Sequence, residues 1–195
     1  NILIEGDFNI GYHGISSNFL NRQLKYGNKT DFKDFSKSLY EDIFGNQSIS
    51  ELNIDNLHNH LNIRGHISIN GKTFNDGSNK YIFIDFLPRL FETESRESLI
   101  EGTYLRNSFH KKVKVKIKLD ESVETFEPIN HSLKEEKASL KVTIKTLSNT
   151  EIECEYSFIF DYIFIDKNNI DITNKILESF KKIINEPIVL KKQNN

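Results

Sequence analysis

Two segments of strict two-residue alternation constrain the fold of this chain more than any other feature. One reads Lys-Val-Lys-Val-Lys-Ile-Lys-Leu from Lys112 to Leu119, so its lysines share one face and its aliphatic side chains the other. The second reads Glu-Ile-Glu-Cys-Glu-Tyr from Glu151 to Tyr156 and repeats the pattern with acidic residues. Such alternation is typical of antiparallel strands that bury one face and expose the other. The two segments therefore predict a half-buried sheet with opposite charges on its outer face.

The acidic segment belongs to a hairpin predicted over 139–164. If its glutamates share the outer face with Lys141 and Lys145 of the hairpin's first strand, parity requires an odd number of residues in the turn. A three-residue turn, Ser148-Asn149-Thr150, meets that requirement. The resulting register places Lys145 opposite Glu153 and Ile144 opposite Cys154.

The remaining pattern predicts further strands and three helices. Strands are predicted at 2–12, 57–69, 80–87 and 188–190, and helices at 16–27, 30–45 and 173–185. The strand at 80–87 is nearly all apolar, so we expect it to be central and covered on both sides, with Pro88 ending it. Asn70-Gly71 and Asn75-Asp76-Gly77 predict turns, and Thr173 is the predicted cap of the last helix. The fold class is α+β: a mainly antiparallel, sandwich-like sheet with two helices in the N-terminal half and one C-terminal helix.

Length and charge limit the class of protein. The 195 residues, with 37% hydrophobic content and a net charge of −2, suit one domain over 1–195, with 1–90 and 91–195 as candidate subdomains. A near-neutral balance argues against a nucleic-acid partner, and no apolar stretch approaches the ~20 residues of a membrane span. Because the chain opens on Asn1 inside an alternating segment, we expect it to be part of a longer protein.

Three histidines are candidate metal ligands: His58, His60 and His66. In an extended strand at ~3.3 Å per residue, His60 and His66 lie about 20 Å apart, too far to share one ion. His58 and His60 would need ligands from elsewhere in the chain. We interpret all three as solvated histidines of a polar strand face, and predict no metal site.

The other candidates for chemistry are a cysteine and several carboxylates. Cys154 lies on the inward face of its predicted strand, whereas catalytic cysteines need an accessible, electropositive setting. The acidic residues are Asp120, Glu121, Glu135, Glu136, Asp161 and Asp166. We interpret the first four as loop and turn charges, and the last two as isolated carboxylates, of which Asp161 is placed to face the core. No phosphate loop, nucleophile elbow or zinc signature is present, so no catalytic, cofactor-binding or metal-binding residue and no cofactor are predicted.

From residue 96 onward, the order of motifs and predicted secondary-structure elements resembles that of a known protein family. It consists of an arginine and an apolar pair, a strand, a Val-Glu and a Pro, a second strand, an aromatic strand and a closing helix. The residues concerned are Arg96, Leu99, Ile100, Leu119, Val123, Glu124, Pro128, Tyr156, Phe158 and Phe180. This resembles the C-terminal β-rich domain of bacterial transglutaminase-like proteins of the Bacteroidota type. It departs from the family at Ser98, where a proline is usual, and at Asp120, where the strand commonly ends in Leu-Pro.

In that family the Cys-His-Asp triad lies upstream of the tail domain, so the resemblance carries over no functional residue. It implies a non-catalytic accessory domain of a larger, extracytoplasmic protein, periplasmic or associated with the cell envelope. Expected partners are the neighbouring domains of the parent chain and a protein or envelope polymer. Two alternatives stay open: a small stand-alone hydrolase with a site built from scattered His and Asp, and a self-contained adhesin- or inhibitor-like module.

Overall fold

The computed structural model describes residues 2–14, 34, 37, 41, 44, 49–57, 60–90, 101–102, 107–162 and 164–191. Its strands are β1 (Ile2–Gly14), β2 (Ile49–Leu57), β3 (His60–Asn75), β4 (Asn79–Phe83), β5 (Asn107–Lys118), β6 (Ile129–Lys134), β7 (Ala138–Ser148), β8 (Glu151–Phe160) and β9 (Ile188–Lys191). Two helices lie wholly within the described residues, α1 (Phe86–Leu90) and α2 (Ile170–Asn185).

All strand pairs are antiparallel, and the strands form one curled sheet in the order β6-β7-β8-β5-β1-β3-β4-β9, with β2 also paired to β3. The predicted mainly antiparallel α+β class is confirmed, and its sheet takes the form of a curled half-barrel. The predicted helix at 16–27 lies outside the described residues. Within the one predicted at 30–45, the described residues 34, 37, 41 and 44 are helical. The division into 1–90 and 91–195 stays a prediction.

β1 lies at the centre of the sheet, between β3 and β5. Its residues Ile2, Ile4, Phe8 and Ile10 are buried, as the alternation predicts. β1 and β5 approach closely at Gly6, where an added Cβ would clash with the backbone carbonyl oxygen of Lys114. A glycine in a strand interior often marks such an approach of another backbone.

The β7–β8 hairpin has the predicted register but a different turn. Lys145 lies opposite Glu153, as predicted. The predicted three-residue turn Ser148-Asn149-Thr150 is wrong, because Ser148 pairs with Glu151 and leaves a two-residue loop. The odd residue that parity requires is Leu147, which forms a bulge within β7.

The predicted strand at 57–69 is two strands. β2 ends at Leu57 and β3 begins at His60, and these two residues pair with each other. The turn predicted at Asn70-Gly71 is also wrong, because both residues continue β3 opposite β1. An added Cβ at Gly71 would lie 2.7 Å from the Ile2 side chain, so this glycine permits close packing. The turn predicted at 75–77 is confirmed, and its Asp76 Oδ1 accepts a hydrogen bond from the backbone N–H of residue 79.

The predicted strand at 80–87 ends early. β4 stops at Phe83, which is exposed, so this segment is not covered on both sides. Pro88 does not end a strand but lies within α1. The first turn of a helix has no intrahelical partners for its N–H groups, so a proline there breaks no hydrogen bond.

α2 packs against the inner face of the sheet. Phe180 stacks on Phe158 of β8 at a ring-centroid distance of 4.4 Å, and Ile176 and Ile184 are buried beside it, as predicted. The helix begins at Ile170, so the prediction that Thr173 caps it is wrong: Thr173 is buried one turn inside. Neither α1 nor α2 has the length and apolar content that crossing a membrane requires.

Candidate functional site: a charged groove on the outer face

The solvent-facing side of the sheet, here called the outer face, carries closely spaced charges. Its residues include Glu5, Asp7 and Asn9 of β1, Arg64 and His66 of β3, Lys112, Lys114, Lys116 and Lys118 of β5, and Glu151, Glu153 and Glu155 of β8. The pairing order puts acidic β8 and β1 on either side of basic β5. The opposite charges predicted from the two alternating segments therefore lie next to each other on one face.

Many of these charges pair diagonally. Lys114 lies opposite Glu155 in the backbone register, yet its Nζ is 3.1 Å from Glu153 Oε2, while Lys112 Nζ is 3.0 Å from Glu155 Oε1. A two-residue offset of this kind is within reach of long side chains on a twisted sheet. The hydrogen bond from Lys145 lowers the pKa of Glu153, and that from Lys112 lowers the pKa of Glu155. These two glutamates are accordingly held in their charged form.

A groove of about 370 Å³ opens on the outer face across β5, β1, β3 and β2. Its lining residues are Asp7, Phe8, Asn9, Glu51, Asn53, Arg64, Gly65, His66, Lys112 and Lys114. We call it the charged groove. Its volume falls within the range of about 300–1,000 Å³ that is usual for ligand sites.

Glu51, in the groove lining, has an unusual backbone conformation. β2 and β3 pair at Ser50–His66 and again at Asn53–Arg64, so two residues of β2 oppose one of β3 and form a bulge. Glu51 is the first residue of that bulge and has a φ of 56°. This left-handed conformation costs a non-glycine residue about 1–2 kcal/mol. Strained residues of this kind concentrate at functional sites, which favours the groove as the site of function.

The middle of the groove is internally paired. His66 Nδ1 lies 2.9 Å from Asp7 Oδ1, and Arg64 forms an ion pair with Asp55 on β2. Asn53 donates a side-chain hydrogen bond to the backbone carbonyl of Glu51 at 3.1 Å, which supports the bulge. The side chains at the centre of the groove are therefore positioned by their neighbours.

The histidines interpreted as a solvated strand face lie in different settings. His58 is outside the described residues. His60 is exposed at the start of β3, and His66 lines the charged groove as the partner of Asp7. Among the residues that the structure describes, no three His, Cys, Asp or Glu side chains are grouped closely enough to hold a metal ion.

Cys154 is fully buried on the inward face of β8, as predicted. Burial, and secondarily the charge of Glu153, raises the pKa of its thiol to about 12. Because the thiolate is the nucleophilic form, burial and the raised pKa both disfavour reaction of this cysteine in the folded protein.

The predicted acidic candidates are dispersed. Glu135 and Glu136 are exposed at the β6–β7 turn, as predicted. Asp161 does not face the core as expected: it is half-exposed, and both its carboxylate oxygens lie 3.0 Å from His110 Nε2. The Asp166 carboxylate accepts hydrogen bonds from backbone N–H groups just before α2, including that of Asn169 at 3.2 Å.

Asp120 lies in the loop after β5 and is exposed, as predicted, but it also has a specific ion-pair partner. Its carboxylate pairs with Lys80, a side chain only 1% exposed, and the hydrogen bond from Lys80 holds the pKa of Asp120 well below its usual value. A signal for this pair was present in the sequence, because Lys80 shares the parity of buried Ile82 on β4. The pair lies away from the charged groove, so it belongs to the stability of the fold.

Comparison of the chain with protein-family models, with curated proteins and with solved structures finds no match.

Proposed function

We propose that this chain is a non-catalytic interaction domain and that the charged groove is its contact surface. The observation that carries the proposal is the chemistry of the groove lining, whose described residues offer ammonium, guanidinium, imidazole, carboxylate and amide groups but no serine, threonine or cysteine. These groups recognise a polar chain through hydrogen bonds and ion pairs. Covalent catalysis by a hydroxyl or thiol has no nucleophile in this lining.

The proposal includes a biological context. We propose that the domain is an accessory part of a larger, extracytoplasmic transglutaminase-like protein and that it contacts a protein or an envelope polymer. The resemblance of the segments after residue 96 supports this context, and the mainly antiparallel fold is compatible with a β-rich tail domain. Reading the complete gene tests it, because an upstream catalytic core with a Cys-His-Asp triad is expected. A complete gene without such a core would favour a self-contained interaction module.

Binding at the groove is tested by nuclear magnetic resonance titration of the ¹⁵N-labelled chain with peptide-bearing peptidoglycan fragments. We expect the backbone amides of Gly65 and His66 to shift on addition of the fragments. Asn9→Trp places a large side chain in the groove and is expected to weaken binding at least tenfold. Ser68→Trp is the matched control, because Ser68 is exposed on the outer face of β3 but does not line the groove. Equal binding by both variants would contradict the proposal.

The hydrolase alternative is favoured by one kind of observation, a histidine paired with a carboxylate, which occurs at His110–Asp161 and, within the groove, at His66–Asp7. An imidazole held by a carboxylate is the arrangement of a general base and the group that orients it. Mass spectrometry of the same fragments after incubation distinguishes the two functions. We expect unchanged masses. Cleavage that is lost in His110→Gln or in His66→Gln would replace the interaction domain with a hydrolase.

A further inference from the structure

The two ends of the charged groove carry opposite charges. At the β5 end, Lys112 and Lys114 each have one glutamate partner, and an ammonium group has three donors, so each can bind a further anion. The Lys114 side chain is 48% exposed, whereas its partner Glu153 is 12% exposed, so the cation is the group that faces a ligand. At the β2 end, the exposed Glu51 carboxylate has no ion pair or hydrogen bond within the described part of the chain.

The strand order sets the distance between these ends. From β5 through β1 and β3 to β2 there are three steps between neighbouring strands. At about 4.8 Å per step, the ends lie about 14 Å apart. An extended peptide covers this distance in about four residues, at 3.3–3.6 Å per residue.

We propose that the charged groove binds a bipolar peptide segment, with a carboxylate at Lys112 and Lys114 and, about four residues away, an ammonium or guanidinium group at Glu51. The proposal rests on the proposed function, because it names the ligand of the same groove. The middle of the groove offers hydrogen-bonding groups to the backbone of such a segment. There Asp7 and His66 pair with each other, and the exposed Asn9 amide can both donate and accept hydrogen bonds.

The proposal is tested with the peptide acetyl-Asp-Gly-Gly-Gly-Lys-amide and two relatives in which Asn replaces Asp or Gln replaces Lys. Titration of the ¹⁵N-labelled chain at low salt is expected to show binding of the bipolar peptide at least tenfold tighter than either relative. Raising the salt concentration is expected to weaken this binding, because exposed charges are screened. A peptidoglycan stem peptide that carries the same two charges is titrated in parallel. Tighter binding of the stem peptide indicates an envelope polymer as the ligand, and tighter binding of the bipolar peptide indicates a protein segment.

Variants of Glu51 separate charge from backbone strain. Glu51→Gln is expected to bind the bipolar peptide only as well as the wild type binds the lysine-free relative. Glu51→Gly removes the carboxylate and relieves the left-handed conformation, so we expect a higher Tm together with the same loss of affinity. Lys116→Gln is the control, since Lys116 is exposed on the same face of β5 but does not line the groove.

A nitroxide label at either end of the peptide determines its direction. A label beside the lysine is expected to broaden the amide signals of Glu51 and Asn53, and a label beside the aspartate those of Lys112 and Lys114. Equal affinities for all three peptides, unchanged affinity in Glu51→Gln, or no response of the groove to any peptide would overturn the bipolar ligand. The role of the groove as a contact surface is judged separately, by comparing the fragment binding of Asn9→Trp and Ser68→Trp.

Discussion

Lys80 is a lysine on the inward face of β4, and its side chain is only 1% exposed. Its ammonium group pairs with Asp120 and lies 3.9 Å from Glu121 Oε2. Asp120→Asn keeps the shape of the side chain but removes its charge. Removing one partner of a buried ion pair costs about 3–5 kcal/mol, because the other charge is left uncompensated. Asp120 is 44% exposed and Glu121 remains nearby, so we expect a smaller loss in the free energy of unfolding, about 2 kcal/mol.

Urea denaturation near pH 7 measures this loss, with Glu121→Gln as the matched control. The control removes a longer and more exposed contact and is expected to cost less than about 1 kcal/mol. Lys80→Met removes the buried charge itself, so we expect it to change the free energy of unfolding only slightly. In that background, adding Asp120→Asn is expected to cause almost no further loss of stability.

The dependence of stability on pH tests whether the Lys80–Asp120 pair acts through charge. The hydrogen bond from Lys80 lowers the pKa of folded Asp120 below its usual 3.8, so the contribution of the pair to stability is complete above that value. It is lost as the pH falls through the lowered pKa of the folded state. The difference in the free energy of unfolding between wild type and Asp120→Asn is therefore expected to be constant from about pH 5 to 8 and to shrink below about pH 4. A difference that persists unchanged below pH 2, or an equal loss in Glu121→Gln, would refute the reasoning.

Three further predictions concern the buried face. Thr173→Val removes a buried hydroxyl that lacks a hydrogen-bond partner among the described residues, so we expect thermal unfolding to show a gain of about 1 kcal/mol in the free energy of unfolding; a loss of similar size, as for a helix cap, would contradict this. Gly6→Ala is expected to cost about 3 kcal/mol or more in urea denaturation because its Cβ meets backbone, whereas Gly71→Ala meets only side-chain atoms and should cost less; equal losses would be evidence against the close approach. Cys154 is expected to react with an aqueous thiol reagent only after unfolding, and fast stoichiometric labelling of the native protein would contradict its burial.

The parts of the fold that could be predicted are those in which burial follows a strict period. β1, β5, β7, β8 and α2 each bury one regular set of apolar residues, so their sequences show the period of their structure. The sequence of β6 lacks such a period and was not predicted as a strand. β6 lies at an end of the strand order, and its residues are partly buried or, like Ile129, exposed. Edge strands of this kind have little apolar patterning from which to be recognised.

The charged groove could be predicted only in part. Its lysines on β5 were evident, but Glu51 depends on how many residues of β2 oppose β3, which is a property of the pairing and not of either segment alone. A partial signal exists, because Ile49, Leu52 and Ile54 all pack against the core although the first two are three residues apart. An odd spacing between inward residues of one strand indicates a bulge.

The loss of alternation in β2 is also the setting of the exposed carboxylate at one end of the groove. In β5 and β8 the alternation brings each lysine within reach of a glutamate, and many of these charges are paired with one another. Glu51 lies in the bulge, outside that alternation, and its neighbour Asn53 holds its backbone carbonyl without neutralising its side chain. The left-handed residue thus lies outside the regular alternation of its strand and presents an exposed carboxylate in the groove lining. The feature that most weakens local regularity is therefore the one best placed to bind a ligand.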